Sequence, residues 1–462
     1  MKYLLILLMP LFTFAQTDSV EKRAYHFQQT LVSQVVNTND PVYVGHNSFV
    51  ENQMKMSMSS TFYLGFKLSK NTSIYINPDV AGGSGLGGTL GVAGCMNGEI
   101  FRVGNPAPAV YFSRCFIRQY IPLKNTAYSY VKPDANQLGE WVPDKRIQIS
   151  LGKLSLADMF DCNHYSHDPR TRFLNWSLMN SGSYDFASNT KGYTYASVVE
   201  YITPKISNRF AVAIMPVYSN GPLSYQRDIN GVSLMDMEFD LRKNTYGLNY
   251  EIEIPYEIPD ISSKNGRLRV LTFLNFVNAG TYTNAIMSPY YKQYPDSFVN
   301  NASLALSSVR SMNVKYGFSV NIEQPLGKHS GVFSRISWND GKTESFCFAE
   351  IDQSESFGVV LHGTTWNKNR FADRIELAFA CNQISQQHIN YLAGGGYGFM
   401  LGEPHMRYAP ESIFEIQYVI DIDPSPDRDF MISPDIQFIV NPGYDSNRSN
   451  LVIFGVRSHI DF

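Results

Sequence analysis

The sequence lacks long hydrophobic runs beyond its N-terminus and has few charged residues and few cysteines. No later stretch approaches the roughly eighteen consecutive apolar residues of a transmembrane helix. Charged residues make up 17% of the chain and the net charge is −3, so there is no basic footprint and nucleic acid is not an expected partner. The cysteines are odd in number and widely scattered, unlike a disulfide framework, and we interpret them mainly as small apolar residues. They are Cys95, Cys115, Cys162, Cys347 and Cys381.

The composition is instead rich in apolar and aromatic residues. Hydrophobic residues reach 44% and aromatic residues 14%, with 29 Tyr and 30 Phe. This content argues against disorder. The N-terminal "MKYLLILLMPLFTFA" has Lys2, an apolar run and a small-x-small site ending at Ala15. It predicts a signal peptide at 1–15, a mature chain beginning at Gln16, and export from the cytoplasm.

The C-terminal "LVIFGVRSHIDF" alternates between apolar and polar side chains. Phe454, Val456 and Ile460 take every second position, and Arg457 and His459 lie between them. Because successive side chains on a strand point to opposite faces, this period indicates a strand with one apolar and one polar environment. The pattern recurs in sixteen candidate strands. Their centres lie near 62, 75, 115, 149, 198, 212, 250, 272, 318, 335, 348, 360, 377, 416, 435 and 456.

Export, many alternating strands and a terminal aromatic residue together favour an all-β protein, a transmembrane antiparallel β-barrel of about sixteen strands. A chain in hydrocarbon must satisfy its own backbone hydrogen bonds, and closed barrels do so. A barrel of this size encloses an aqueous channel. The rival interpretation is a secreted multi-sheet β protein. We assign 56–462 to the barrel, and 16–55, which shows no clean alternation, to a periplasmic or plugging segment.

The stretch "LGKLSLADMFDCNHYSHDPRTRFLNWSLMNSGSYDFASNTKGYTYASVVEY" at 151–201 resembles the central signature of the carbohydrate-selective porins, the OprB-like family of the Gram-negative outer membrane. Further resemblance runs collinearly from about residue 60 to the end, for example in "YLAGGGYGFMLG" and "DIQFIVNPGYDSNR". The resemblance implies sixteen antiparallel strands, inward-folded constriction loops, and passive diffusion of mono- and oligosaccharides into the periplasm. The implied partners are carbohydrates and outer-membrane lipid. Whether the chain forms a homo-oligomer is left undecided by the sequence.

Three motifs suggest other chemistry, and each has a simpler interpretation. "GSGLGG" at 83–88 has dinucleotide-loop spacing, but no helical pattern follows it. "DCNHYSH" at 161–167 contains zinc-ligand types but precedes a turn-like stretch. "DIDPSPDRD" at 421–429 has acidic spacing without the turn glycine of a calcium loop. We expect loops, no metal or cofactor, and no enzyme activity.

A sugar path needs polar groups for hydroxyls and aromatic faces for C–H surfaces. The arginines at 114 and 118 would share one face of a strand at 111–120. The alternatives left open are a general or anion-leaning porin, suggested by the arginines, and a non-conducting barrel acting as enzyme or adhesin. The candidate pore-lining residues are Arg102, Arg114, Arg118, Asn175, Trp176, Tyr184, Asp185, Trp338, Asp340 and Glu344.

Overall fold

The fold was analysed in a computed structural model of the chain. The signal-peptide stretch predicted at 1–15 lies outside the part of the chain that this structure describes. The described residues are 20–37, 47, 52–100, 107–189, 191–216, 244–259, 261, 265–291, 302–327, 330–345, 350–398, 400–402, 406–422 and 428–462.

Sixteen antiparallel strands form a closed barrel, as predicted, and a separate two-stranded hairpin of Tyr128–Val131 and Glu140–Pro143 lies in one connection. Each barrel strand pairs with its neighbours in the chain, and the first strand pairs with the last. The strands are β1 Arg23–Val36, β2 Gln53–Ser69, β3 Thr72–Gly83, β4 Ala109–Pro122, β5 Tyr128–Val131, β6 Glu140–Pro143, β7 Arg146–Leu154, β8 Thr194–Ile202, β9 Ser207–Ile214, β10 Tyr246–Tyr256, β11 Gly266–Ala279, β12 Ser311–Leu326, β13 Ser330–Asn339, β14 Gln353–His362, β15 Arg374–Gln383, β16 Glu411–Asp421, β17 Asp429–Val440 and β18 Leu451–Asp461.

The alternation of side chains sorts the two faces of the barrel wall. On β18, Phe454 and Val456 are exposed on the outside, and Arg457 and His459 are buried on the inside. The same division recurs on the other long strands, with apolar side chains outward and polar ones inward. An apolar exterior around a closed hydrogen-bonded wall is what a lipid bilayer requires.

The structure differs from the sequence analysis at the N-terminal segment. Residues 23–36 of the proposed periplasmic or plugging segment form β1, which closes the barrel between β2 and β18. The alternation is blurred there because polar Gln29 and Ser33 interrupt the outer face and apolar Val32 and Val36 the inner face. All the predicted strand centres fall within barrel strands except 348, which lies outside the described residues.

The two ends of the barrel differ in their connections. At one end several turns are short, such as 70–71, 203–206 and 327–329, whereas long segments such as 84–108, 155–193 and 280–310 leave the other end. In outer-membrane barrels, the short turns face the periplasm and the long loops face outward. We call these the turn end and the loop end.

The helices of the described residues are all short. None of them is long and apolar enough to cross a membrane. The α-helices are Trp176–Met179, Tyr282–Met287, Ala302–Ser308 and Gln386–Ala393, and the 3-10 helices are Leu86–Thr89, Gly98–Ile100, Leu156–Asp158, Gly363–Thr365, Lys368–Arg370 and Pro442–Tyr444.

Candidate pore constriction

The segment 155–189, which we call the inward loop, folds into the barrel from the loop end between β7 and β8. Its apolar side chains are almost fully buried, among them Phe160 and Phe186. They join a cluster that includes small inward-facing residues of the wall, such as Ala211 and Ala213 on β9. Small side chains on the wall leave the space that the loop occupies. The inward-folded loop predicted from the family resemblance is therefore present.

Carboxylates on the wall bind the backbone of the inward loop. Glu251 on β10 accepts a hydrogen bond from the Asp161 amide at 2.7 Å. Glu415 on β16 accepts from the amides of Leu174 and Asn175 at 2.6 and 2.9 Å. A loop inside a barrel has no ladder to satisfy its backbone, so buried N–H groups need such partners. The polar inner faces of the strands therefore determine where the loop sits.

Arg335 on β13 makes the most extensive attachment to the inward loop. Its guanidinium pairs with the Asp161 carboxylate at 3.2 Å and donates to the Leu178 carbonyl at 2.9 Å and the Met179 carbonyl at 3.3 Å. It also donates to the Ser166 hydroxyl. Arg335 is 1% exposed. One side chain thus ties together the descending and returning halves of the loop.

Arg114 and Asp158 face each other where the inward loop passes β4. The Arg114 Nε and Nη2 atoms donate to the two Asp158 carboxylate oxygens, each at 2.6 Å, in the two-pronged arrangement that guanidinium and carboxylate prefer. The Asp158 side chain is 32% exposed, whereas the ion-paired side chains of Glu99 and Glu200 are each 7% exposed. This ion pair therefore borders water inside the barrel rather than the packed interior.

Aromatic rings adjoin this pair. The Arg114 guanidinium carbon lies 5.1 Å from the ring centre of Tyr193, and the Tyr193 ring lies 6.3 Å from that of Tyr111. The Lys191 ammonium lies 4.5 Å from the Tyr111 ring centre. Cations stacked on ring faces are held in place without using up their hydrogen-bond donors. The site therefore places fixed charges against aromatic rings that are themselves largely buried.

A second basic residue, Arg170 of the inward loop, attaches the loop to the walls of β1 and β2. It pairs with Glu99 at 2.8 Å and donates to the Gln28 side chain at 3.1 Å and the Tyr63 hydroxyl at 2.9 Å. Burial raises the pKa of the Glu99 carboxyl, and the Arg170 charge opposes that rise. We call Arg114, Asp158, Tyr193 and Arg170 the constriction group.

A row of alternating charges lines β8 to β12 towards the turn end. Arg209 lies between Glu200 and Glu253, at 3.0 and 3.3 Å, and Arg269 lies between Glu253 and Glu323, at 2.8 and 3.3 Å. Inward-facing ions on neighbouring strands thus neutralise one another. This row links the inner faces of five neighbouring strands, β8 to β12, to one another.

The "DCNHYSH" motif lies in the inward loop and is used structurally. The Asp161 carboxylate binds Arg335 and the Ser181 amide, and the His167 ring bonds to the Asn180 side chain at 3.2 Å. Burial raises the pKa of Cys162 to about 12, which keeps its thiol neutral. In the described part of the chain, no three His, Cys, Asp or Glu residues are grouped to hold a metal ion.

The three arginines predicted from the sequence have different outcomes in the structure. Arg114 and Arg118 lie on the same inner face of β4, as expected from the alternation, and Phe116 lies between them. Arg114 belongs to the constriction group. Arg118 lies four residues further along β4, closer to the turn end. Arg102 lies outside the described residues.

The four candidates of the 175–185 block are packed inside the inward loop. Asn175 caps the helix Trp176–Met179 and is fully buried. Trp176 stacks on Phe186, and the Tyr184 hydroxyl donates to Asn249 at 2.9 Å. Asp185 pairs with Lys315 at 3.1 Å. These contacts seat the loop, so the structure does not bring this block to the water-filled path.

The remaining candidates lie at the loop end of β13. The Trp338 side chain is on the outer face with Ile336 and contacts the ring of Tyr316, so it faces lipid rather than the pore. Alternation places it there, because Arg335 and Ser337 take the inward positions. Asp340 and Glu344 are both buried, and Glu344 pairs with Arg310 at 2.8 Å.

Sequence reasoning missed most of the constriction group. Asp158, Arg170 and Tyr193 lie in the connection between β7 and β8, where no periodicity indicates which side chains reach the pore. The available signal was the resemblance of 151–201 to a porin signature, which includes all three. It located the segment without ranking its side chains.

The family profile and the fold of one solved porin agree with this architecture. The profile of the carbohydrate-selective porin, OprB family matches residues 46–462. The fold is similar to that of OprB from Pseudomonas putida, at 13% identity over 96% of this chain and 94% of that chain, with a TM-score of 0.65. OccAB1 of Acinetobacter baumannii matches at 8% identity over 96% and 97% of the two chains, with a TM-score of 0.49. No curated protein sequence matches the chain. The family profile covers nine-tenths of the chain, and the chain folds into a closed sixteen-stranded barrel with an inward loop. The chain therefore belongs to the OprB family of carbohydrate-selective porins.

Proposed function

We propose that sugars cross this outer-membrane porin by passive, facilitated diffusion past the constriction group. The observation that carries the proposal is the Arg114–Asp158 pair, which is rigidly formed yet open to water on its carboxylate side. Family membership supplies the class of substrate, and the geometry indicates where a sugar would make contact. We further propose that residues 1–15 direct export and are then removed.

The physical basis is exchange of hydration for weak polar contacts. A sugar hydroxyl that enters the constriction loses water and gains a charged acceptor at Asp158 and donors at Arg114. The Tyr193 ring, which is buried beside the pair, holds the Arg114 guanidinium in position for this contact. Binding must stay weak enough for release, because a pore that holds its solute does not conduct it. No energy source is required.

The proposal is tested by single-channel conductance in a planar bilayer, titrated with glucose, maltose and an uncharged polymer of similar size. Stepwise conductance that either sugar blocks, at concentrations where the polymer has no effect, supports a sugar-selective pore. Equal block by the sugars and the polymer reduces the protein to a general porin.

Replacing Asp158 with asparagine is expected to weaken maltose block about tenfold, since a hydrogen bond to a charged group contributes roughly 1.5–3 kcal/mol. The same substitution leaves Arg114 without its carboxylate, so permeation of anions relative to cations rises. The measurements are the maltose concentration for half-block and the reversal potential in a salt gradient.

Asp373→Asn is the matched control. Asp373 is a turn-end carboxylate paired with Arg370, outside the constriction group. Its substitution is expected to leave maltose block unchanged. If Asp158→Asn behaves like this control, the sugar does not contact the Arg114–Asp158 pair.

An anion-leaning porin is the second candidate, and Arg118 and Arg146 are the observation in its favour. Neither guanidinium lies within ion-pair distance of a carboxylate in the described residues. A reversal potential strongly biased towards anions, without sugar block, would favour this function over sugar selectivity.

A further inference from the structure

Two arginines on the inner wall near the turn end, Arg118 and Arg146, differ from other inward-facing cations in how they are bound. Arg209, Arg269 and Lys315 each pair directly with carboxylates. In the part of the chain that the structure describes, no carboxylate lies within ion-pair distance of Arg118 or Arg146, although both are only partly exposed. Removing a guanidinium from water without a counter-charge is costly, so such cations call for an explanation.

Arg118 is held by aromatic rings, by one backbone carbonyl and by the neighbouring Tyr120 hydroxyl. Its guanidinium carbon lies 5.2 Å from the ring centre of Tyr75 and 5.4 Å from that of Phe116. Its Nη1 atom donates to the Asn136 carbonyl at 3.0 Å, and its Nε atom is buried without a hydrogen-bond partner. Stacking fixes the plane of the guanidinium and leaves donor capacity along its edge.

Arg146, the first residue of β7, is held in the same way. Its guanidinium carbon lies 5.5 Å from the ring centre of Tyr120, and it donates to the Pro143 carbonyl at 3.0 Å and the Gln148 side chain at 3.3 Å. Tyr120 lies on the inner face of β4, two residues beyond Arg118. Both arginines are therefore fixed by rings and neutral oxygens on adjoining strands.

Hydroxyl groups flank Arg118 at the same height on the wall. Strand register places Ser73 of β3 opposite Arg118, and Arg118 opposite Ser150 of β7. The Ser150 hydroxyl is buried without a hydrogen-bond partner in the described structure, whereas the Ser73 and Tyr75 hydroxyls lie close enough to interact with each other. Three strands thus bring hydroxyl groups and an unpartnered guanidinium N–H to one place.

The two carboxylates that lie nearest to Arg118 and Arg146 on the inner wall, Glu200 and Glu140, are already bound to other cations. Glu200 bonds to Arg209 and to the Gln148 side chain, and Glu140 pairs with Lys67. Neither carboxylate neutralises Arg118 or Arg146 by direct contact. Asp144 and Glu200 act on Arg146 from a distance, and both guanidiniums keep donors that no carboxylate of the described residues contacts directly.

We propose that Arg118 and Arg146 form a second binding station, at the turn end of the pore, for the anionic group of an acidic sugar, either a carboxylate or a phosphate. The inference rests on the proposed function, because the sugar must first pass the constriction group. Guanidinium forks match both anions in geometry, and hydroxyl donors supply additional bonds to their oxygens.

The test compares block of single channels by glucose, glucuronate and glucose 6-phosphate in the full chain and in the double variant R118Q/R146Q. We expect at least one acidic sugar to block the unmodified channel at lower concentration than glucose does. The ratio of the acidic-sugar to glucose affinities is expected to fall about tenfold in the double variant, the value of one lost charge-assisted hydrogen bond. The carboxylate and the phosphate are distinguished by which of the two solutes shows this loss.

Arg267→Gln is the matched control, since Arg267 also lies near the turn end but is half exposed and pairs with Glu253 at 2.8 Å. It should preserve the affinity ratio. The inference is overturned if glucose and both acidic sugars block the unmodified channel equally, or if the ratio survives in a conducting double variant. Acidic-sugar block that depends on these arginines, with no block by glucose, would instead support this station and contradict the proposed neutral-sugar path.

Discussion

Replacing Arg335 with glutamine is expected to release the inward loop and widen the pore while the barrel itself stays folded. The substitution leaves the buried Asp161 carboxylate without its cation, which costs about 3–5 kcal/mol of loop-seating free energy. It also removes donors from the Leu178 and Met179 carbonyls. Single-channel conductance should rise, and sugar block should weaken because the Asp158 side of the constriction moves away from β4.

The control for this prediction is Arg370→Gln. Arg370 lies at the turn end, is 44% exposed in its side chain, and pairs with Asp373 without touching the inward loop. A surface pair of this kind contributes little to stability. Unchanged conductance and sugar block in Arg335→Gln would show that the other wall contacts hold the loop without this arginine.

Deleting Arg23–Val36 is expected to abolish the folded barrel. β1 pairs along its length with β2, and from Gln28–Asp461 to Val36–Ile453 with β18. Without it, β2 and β18 become open edges in hydrocarbon, where each unsatisfied backbone group costs several kcal/mol. The heat-modifiable band of a folded barrel on a gel, and resistance to protease, should both disappear.

Leu31→Ala is the control for the deletion. Leu31 lies on the outer face of β1, and its truncation removes a lipid-facing side chain while it keeps the backbone pairing with Met58 and Ser458. This variant should fold and conduct. A deletion of 23–36 that still folded, with a larger conductance, would mean that these residues plug the pore rather than close its wall.

The barrel wall could be predicted from sequence because its physical signal is local. On a strand between lipid and a water-filled lumen, the polarity of each side chain indicates which face it occupies. Apolar Phe454 and charged Arg457 on β18 are examples. β1 escaped detection where that signal failed, since Gln29 faces outward and Val32 inward. Pairing with β2 and β18 satisfies the β1 backbone in spite of those side chains.

The site was less predictable because its residues meet through the closed barrel. Asn175 and Trp176 have the side-chain chemistry of a sugar site, yet helix capping and packing use them within the inward loop. Asp158 has no distinctive sequence context and becomes a pore residue only through its pairing with Arg114. Which polar side chains meet water depends on how the loop fills the lumen.

The sequence alone determined the class of architecture and the family resemblance, because alternation over many strands and long collinear blocks are properties of the linear chain. Only the tertiary structure decided which side chains border the path. Barrel closure brings β1 against β18, and the inward loop places Asp158 opposite Arg114. No carboxylate of the described residues comes within ion-pair distance of Arg118 or Arg146. The physical reason is that lumen electrostatics arise from contacts between residues far apart in sequence, and no local pattern records those contacts.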